Sequence, residues 1–200
     1  VNGNLIQAGG TIFVNGGILE ITGSYKIQTI DGKDSSGILN MTNAKDTVKV
    51  AGDFVTQSSF RHDNCLTAGE MYIGGNFSQV NGTNYNYYNF NPSGTHKVIF
   101  NGAKKQTVSF VQPGTSFSYF NSLSIENNSA ESEGVELLTD VYIKGDLSKS
   151  DTSVILNGYR MYLAGTGKLA GNTWNSDIKF FENYTLSAET TIGGTLYIYN

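Results

Sequence analysis

Val48-Lys49-Val50-Ala51-Gly52-Asp53-Phe54-Val55-Thr56-Gln57 is one copy of a unit that returns along the chain. Alternating apolar positions come first, then Gly, a small polar residue, an aromatic or Leu, and more strand. Further copies are Leu19-Glu20-Ile21-Thr22-Gly23-Ser24-Tyr25-Lys26-Ile27-Gln28, Met71-Tyr72-Ile73-Gly74-Gly75-Asn76-Phe77-Ser78-Gln79 and Val141-Tyr142-Ile143-Lys144-Gly145-Asp146-Leu147-Ser148. Weaker echoes run through 162–169 and 191–198. Short apolar runs repeated around Gly indicate stacked units that bury their faces against one another.

Spacing turns the repeat into a fold. The Gly-polar-aromatic signature falls at 23–25, 52–54, 75–77 and 145–147, with steps of 29, 23 and 70 residues. The last step is close to three of the second. A coil of roughly 20–25 residues carrying three short strands fits a parallel β-helix, whereas sandwich strands recur every 8–12 residues or so. No ten-residue window holds a helical 3.6-residue pattern. The expectation is an all-β, right-handed parallel β-helix of roughly seven coils and roughly 22 strands, with a β-sandwich or another antiparallel arrangement as the alternative. Asn-Gly at 2–3, 15–16, 81–82, 101–102 and 157–158 fits hairpin turns or solenoid corners, since both use left-handed residues.

The totals agree with this reading. The chain holds 24 Gly where about 14 are expected, and 15% charged residues where about 25% is usual. Its 12 Tyr and 11 Phe alternate with polar residues and argue for order rather than disorder. A net charge of −4 and no basic run beyond Lys104-Lys105 exclude a nucleic-acid footprint. No apolar run is long enough for a bilayer, so no membrane insertion is expected. The pattern is already running at Val1, so the expected organisation is one solenoid domain over 1–200, as a fragment of a longer protein. Stacked strands with bare ends predict end-to-end or edge self-association.

Several stretches carry the family comparison: 1–7 through Gly23-Ser24-Tyr25, Val50-Ala51-Gly52-Asp53-Phe54, and Thr95-His96-Lys97-Val98-Ile99-Phe100-Asn101-Gly102 through Gln106-Thr107-Val108-Ser109-Phe110. They resemble β-solenoid repeats of large secreted or wall-attached surface proteins of Gram-positive bacteria. The resemblance implies an extracellular or cell-surface location and an adhesive, scaffolding or carbohydrate-contacting role. It transfers no catalytic residue.

The residues themselves offer little chemistry. His62 and Cys65 form H-x-x-C, short of a zinc set, and His96 stands alone at a strand start. No cofactor is expected; calcium on loop carboxylates such as Asp31, Asp34, Asp63 or Asp151 is the one metal chemistry the loops suggest. Seventeen acids are scattered, and Arg61 and Arg160 are the only arginines. No nucleophile elbow, phosphate loop or dinucleotide fingerprint occurs. The expected function is therefore a non-catalytic structural or adhesive module, with a carbohydrate-binding module second and a polysaccharide-active β-helix enzyme third. The expected partner is a polysaccharide or a host or surface protein. The best binding candidates lie in an aromatic and Asn-rich insertion at about 80–93, where Tyr85, Tyr87, Tyr88 and Phe90 alternate with Asn84, Asn86, Asn89 and Asn91. Aromatic faces stack on sugar rings and amides serve hydroxyls. Trp174, expected in a loop at 172–176, is the remaining candidate.

Overall fold

A computed structural model describes residues 1–82, 88–129, 134–181 and 183–199, apart from the side chains of 171, 172 and 187–189. Among these residues the chain is a parallel β-helix without α-helix, and every strand pairing is parallel. The first sheet stacks β1 (Leu5–Ile6), β4 (Tyr25–Ile27), β7 (Phe54–Thr56), β9 (Phe77–Gln79), β11 (Gln106–Phe110), β13 (Val135–Leu137) and β16 (Val154–Ile155). The second stacks β3 (Ile18–Ile21), β6 (Thr47–Val50), β8 (Glu70–Ile73), β10 (Lys97–Phe100), β12 (Ser122–Ile125), β15 (Leu147–Lys149), β18 (Lys168–Trp174) and β20 (Thr185–Ile192). The third side begins with β2 (Thr11–Phe13) and β5 (Ile38–Asn40). It ends with β14 (Val141–Ile143), β17 (Met161–Leu163), β19 (Ile178–Phe180) and β21 (Leu196–Ile198). Bridges Met41–Leu66 and Phe120–Ile143 carry that side between the two groups.

Alternation decides what is inside. In the second sheet Val48, Met71, Val98, Leu123, Leu147 and Leu169 are register partners in turn, and all are buried. In the first sheet Tyr25, Phe54 and Phe77 form the corresponding column. Such columns place like residues one strand spacing apart, so each coil buries its inner face on the next.

The small polar residue of the repeated unit has a defined task. Asn4 Oδ1 accepts from Ser24 N–H at 2.8 Å, Ser24 Oγ from Asp53 N–H at 3.0 Å, Asp53 Oδ1 from Asn76 N–H at 2.8 Å, and Asn76 Oδ1 from Thr107 N–H at 2.8 Å. At another corner Ser122 Oγ takes Asp146 N–H at 3.2 Å and Asp146 Oδ1 takes Lys168 N–H at 2.8 Å. Each corner side chain thus satisfies a main-chain donor that has no strand partner at the bend. Gly before it is required by space: a Cβ on Gly75 would lie 2.5 Å from the Gly52 carbonyl carbon.

One expectation from spacing is revised, and one left open is decided. Leu147 does not continue the Tyr25–Phe54–Phe77 column, which passes instead to Val108 and Leu137; Leu147 pairs with Leu123 and Leu169 in the second sheet. The 70-residue step was therefore no multiple of a coil, because one local motif serves different corners. Of the five Asn-Gly pairs, only 15–16 and 157–158 have both residues at positive φ, and both make solenoid corners rather than hairpins.

Candidate functional site

The root of the predicted insertion lies inside the solenoid. Asn89 is buried, its amide donating to Ser58 O at 3.0 Å and Val80 O at 2.7 Å while its Oδ1 accepts from Gln79 Nε2 at 2.9 Å. Its carbonyl accepts from Thr56 Oγ1 at 3.1 Å and contacts His62 Nδ1. Phe90 is 1% exposed, 4.8 Å from the Phe77 ring and 5.8 Å from Phe120. A ring packed on both sides offers no face to a sugar, so Phe90 is a core anchor rather than part of a binding platform. Tyr88 is the described aromatic at the surface of this segment, with the Arg61 guanidinium 3.9 Å over its ring. Tyr85 and Tyr87 lie outside the described residues.

Isolated titratable groups follow their surroundings. Burial holds the His62 ring below its usual pKa and lowers His96, which is fully enclosed with both ring nitrogens unpartnered, to about 4. Desolvation pushes the Cys65 thiol up, away from a reactive thiolate. The Arg61 guanidinium holds Asp63 below the usual carboxylate range. Asp31 accepts from Thr29 Oγ1 at 2.6 Å and pairs with Lys33 at 3.0 Å. Among the described residues no three His, Cys, Asp or Glu side chains converge, and Asp31, Asp34, Asp63 and Asp151 do not form a set.

Two surface features stand out near the C-terminal coils. One is legible in the sequence. Each strand of the late third sheet reads apolar–X–apolar, and the outward X residues Tyr142, Tyr162, Lys179 and Tyr197 are register partners in a column. Tyr142 and Tyr162 stack at 4.4 Å and 9°, and the Lys179 ammonium lies 4.9 Å from the Tyr197 ring. Phe181 and Tyr199 stack beside them at 4.9 Å, each about two-fifths exposed.

The other feature surrounds Trp174, which ends strand β18 rather than standing in a loop. The residue is fully buried beside a recess of about 490 Å³ around which Lys149, Thr152, Ser153, Val154 and Asn175 also stand. The indole Nε1 and the Thr152 hydroxyl are buried without a hydrogen-bond partner. Lys149 Nζ lies 5.5 Å from the indole and donates to Thr152 O at 3.2 Å; burial lowers its pKa. β16, whose Val154 lines the cavity, is the terminal strand of the first sheet. No side chain of the sequence marked Lys149 or Thr152, because their approach to Trp174 depends on coils about 25 residues apart. Comparison with family models, curated proteins and solved structures finds no match for the chain.

Proposed function

We propose that this chain is a non-catalytic structural and adhesive module of an extracellular bacterial surface protein. The observation that carries the reading is the corner ladder. Asp53 and Asp146 spend a carboxylate oxygen on the next coil's main chain, and Asp140 and Asp177 do the same toward Arg160 and Thr195, both at 2.9 Å or less. Acids used to hold coils together give a continuous rod. A rigid rod with stacked tyrosines along one side suits display and contact.

A carbohydrate-binding role is the second reading, favoured by the recess of about 490 Å³ lined by Lys149, Asp151, Ser153 and Asn175, whose side chains can serve hydroxyls. Incubation of the purified chain with arrays of bacterial, plant and host glycans and with host surface proteins tests both. Retention without release of new reducing ends is expected. Release of reducing ends that depends on one of the chain's carboxylates would overturn the non-catalytic reading in favour of a polysaccharide-active enzyme.

A further inference from the structure

Asn-Gly occurs five times, at 2–3, 15–16, 81–82, 101–102 and 157–158. In such a pair the Gly main-chain nitrogen can attack the Asn side-chain carbonyl carbon, because no Cβ on the second residue stands in the way. The dipeptide is the same at every site, so what separates the five is how the fold holds each Gly N–H.

Two of the pairs differ in little else. Asn15-Gly16 and Asn157-Gly158 are both exposed, with positive φ at both residues. Their turns close alike, by Gly17 N–H on Val14 O at 3.1 Å and by Tyr159 N–H on Leu156 O at 2.8 Å. At the first, Gly16 N–H donates to Oδ1 of Asp46, a residue 1% exposed whose other carboxylate oxygen holds Asn43 N–H at 2.9 Å. At the second, Gly158 N–H has no hydrogen-bond partner among the described residues, and a Cβ there would meet nothing within 4 Å.

The other three are tied or enclosed. Gly3 N–H donates to Thr22 Oγ1 at 2.8 Å and Gly102 N–H to Gln106 Oε1 at 2.9 Å. Gly82 packs against the chain, where a Cβ would lie 2.4 Å from Ser58 O. The amide of Asn157 itself donates to Glu136 Oε1, and Glu136 Oε2 pairs with Lys105 at 2.5 Å. That bond engages the nitrogen that leaves, not the nitrogen that attacks.

We propose that Asn157 is a site of spontaneous deamidation. Gly158 N bonds to Asn157 Cγ, and Nδ2 departs as ammonia with the proton that Gly158 N gives up. Water then opens the cyclic imide at either carbonyl, leaving aspartate or isoaspartate, with no oxidant or reductant consumed. The new carboxylate stands beside Glu136, so a hydrogen bond between the corner after β16 and strand β13 becomes a contact of like charges. Isoaspartate also lengthens the main chain at that corner.

Purified chain held in mildly alkaline buffer at physiological temperature, and mapped by peptide mass spectrometry at intervals, tests this. Asn157 should convert about tenfold or more faster than Asn15, where attack must first break a charge-assisted bond; tenfold is about 1.4 kcal/mol of barrier. Asp46→Ala frees Gly16 N–H and should bring Asn15 up to the rate of Asn157, while Asn101 stays intact as the sign that the coils remain folded. In concentrated urea the five pairs should converge on one rate. Asn15 keeping pace with Asn157 in the folded chain, or Asn157 intact after another pair has converted, would overturn the proposal. A lead for Asn157 that persists in urea would overturn its basis in the fold and assign the difference to flanking sequence.

Discussion

The early and late coils solve the same packing problem in opposite ways. Register partners Tyr25, Phe54, Phe77, Val108 and Leu137 mark early coils of 29, 23, 31 and 29 residues. Val141, Met161, Ile178 and Leu196 mark late coils of 20, 17 and 18. The long coils enclose rings: Phe54, Phe77, Phe90, Phe100, Phe110 and Phe120 form one buried cluster. The short coils are filled mainly by Val141, Ile143, Leu147, Met161, Leu163 and Ile178, with Phe180 and Trp174 as the large exceptions, while Tyr142, Tyr162, Phe181, Tyr197 and Tyr199 stand outside. The longer coils enclose most of the buried rings, and the shorter ones mostly aliphatic side chains. Dense interiors accept neither void nor excess volume, so the residue set follows the coil.

The contrast can be broken most directly at its centre. Phe77→Ala should cost about 3–5 kcal/mol, because its ring contacts five others and the cavity cannot collapse between fixed strands. Urea titration measures it. Tyr162→Ala, in the outward column, should cost less than about 1 kcal/mol in the same assay; equal costs for the two would refute the inside–outside distinction.

Acid should strike the early coils next. His96 is buried neutral with a pKa near 4, against about 6.5 in an open chain, so the unfolded state binds the proton first as pH falls. Its contribution is complete above pH 6.5 or so and is lost by about 3 kcal/mol on descending to pH 4. His96→Leu should flatten that part of the stability–pH curve, and an unchanged slope would place the acid sensitivity elsewhere.

The late coils are most exposed to added volume. Gly167→Ala should destabilise by about 1–3 kcal/mol, since the new methyl meets the Gly145 carbonyl, with urea midpoints as the measure. The smallest effect sharpens the corner ladder common to both regions. Asp146→Ala should cost about 0.5–1.5 kcal/mol through the lost Lys168 N–H bond, and Asp146→Asn, which keeps an acceptor, should recover most of it. An Asn variant as unstable as the Ala variant would mean that charge, not the hydrogen bond, holds that corner.

Much of this was written locally in the chain. Val48-Lys49-Val50 announces its own in–out alternation, and Gly52-Asp53 announces its own corner, because both depend on neighbours one to three residues away. The outward tyrosines of Val141-Tyr142-Ile143 and Met161-Tyr162-Leu163 were equally readable from a period of two. That is why the parallel β-helix follows from sequence.

What lay beyond local reading was everything fixed between coils. Asn84 to Asn91 reads as one alternating surface, yet Asn89 and Phe90 turn inward to Ser58, Val80 and Phe77, and nothing in their immediate neighbours shows it. Gly145-Asp146-Leu147 repeats the motif of Gly52-Asp53-Phe54 but belongs to another sheet, because a bend has no memory of which corner it makes. Trp174 meets Lys149 and Thr152 only where long coils give way to short ones. Sequence by itself determined the strand alternation, the corner chemistry and hence the solenoid; tertiary structure decided which rings are core, which are surface and where a cavity opens, since those depend on residues stacked a full coil away.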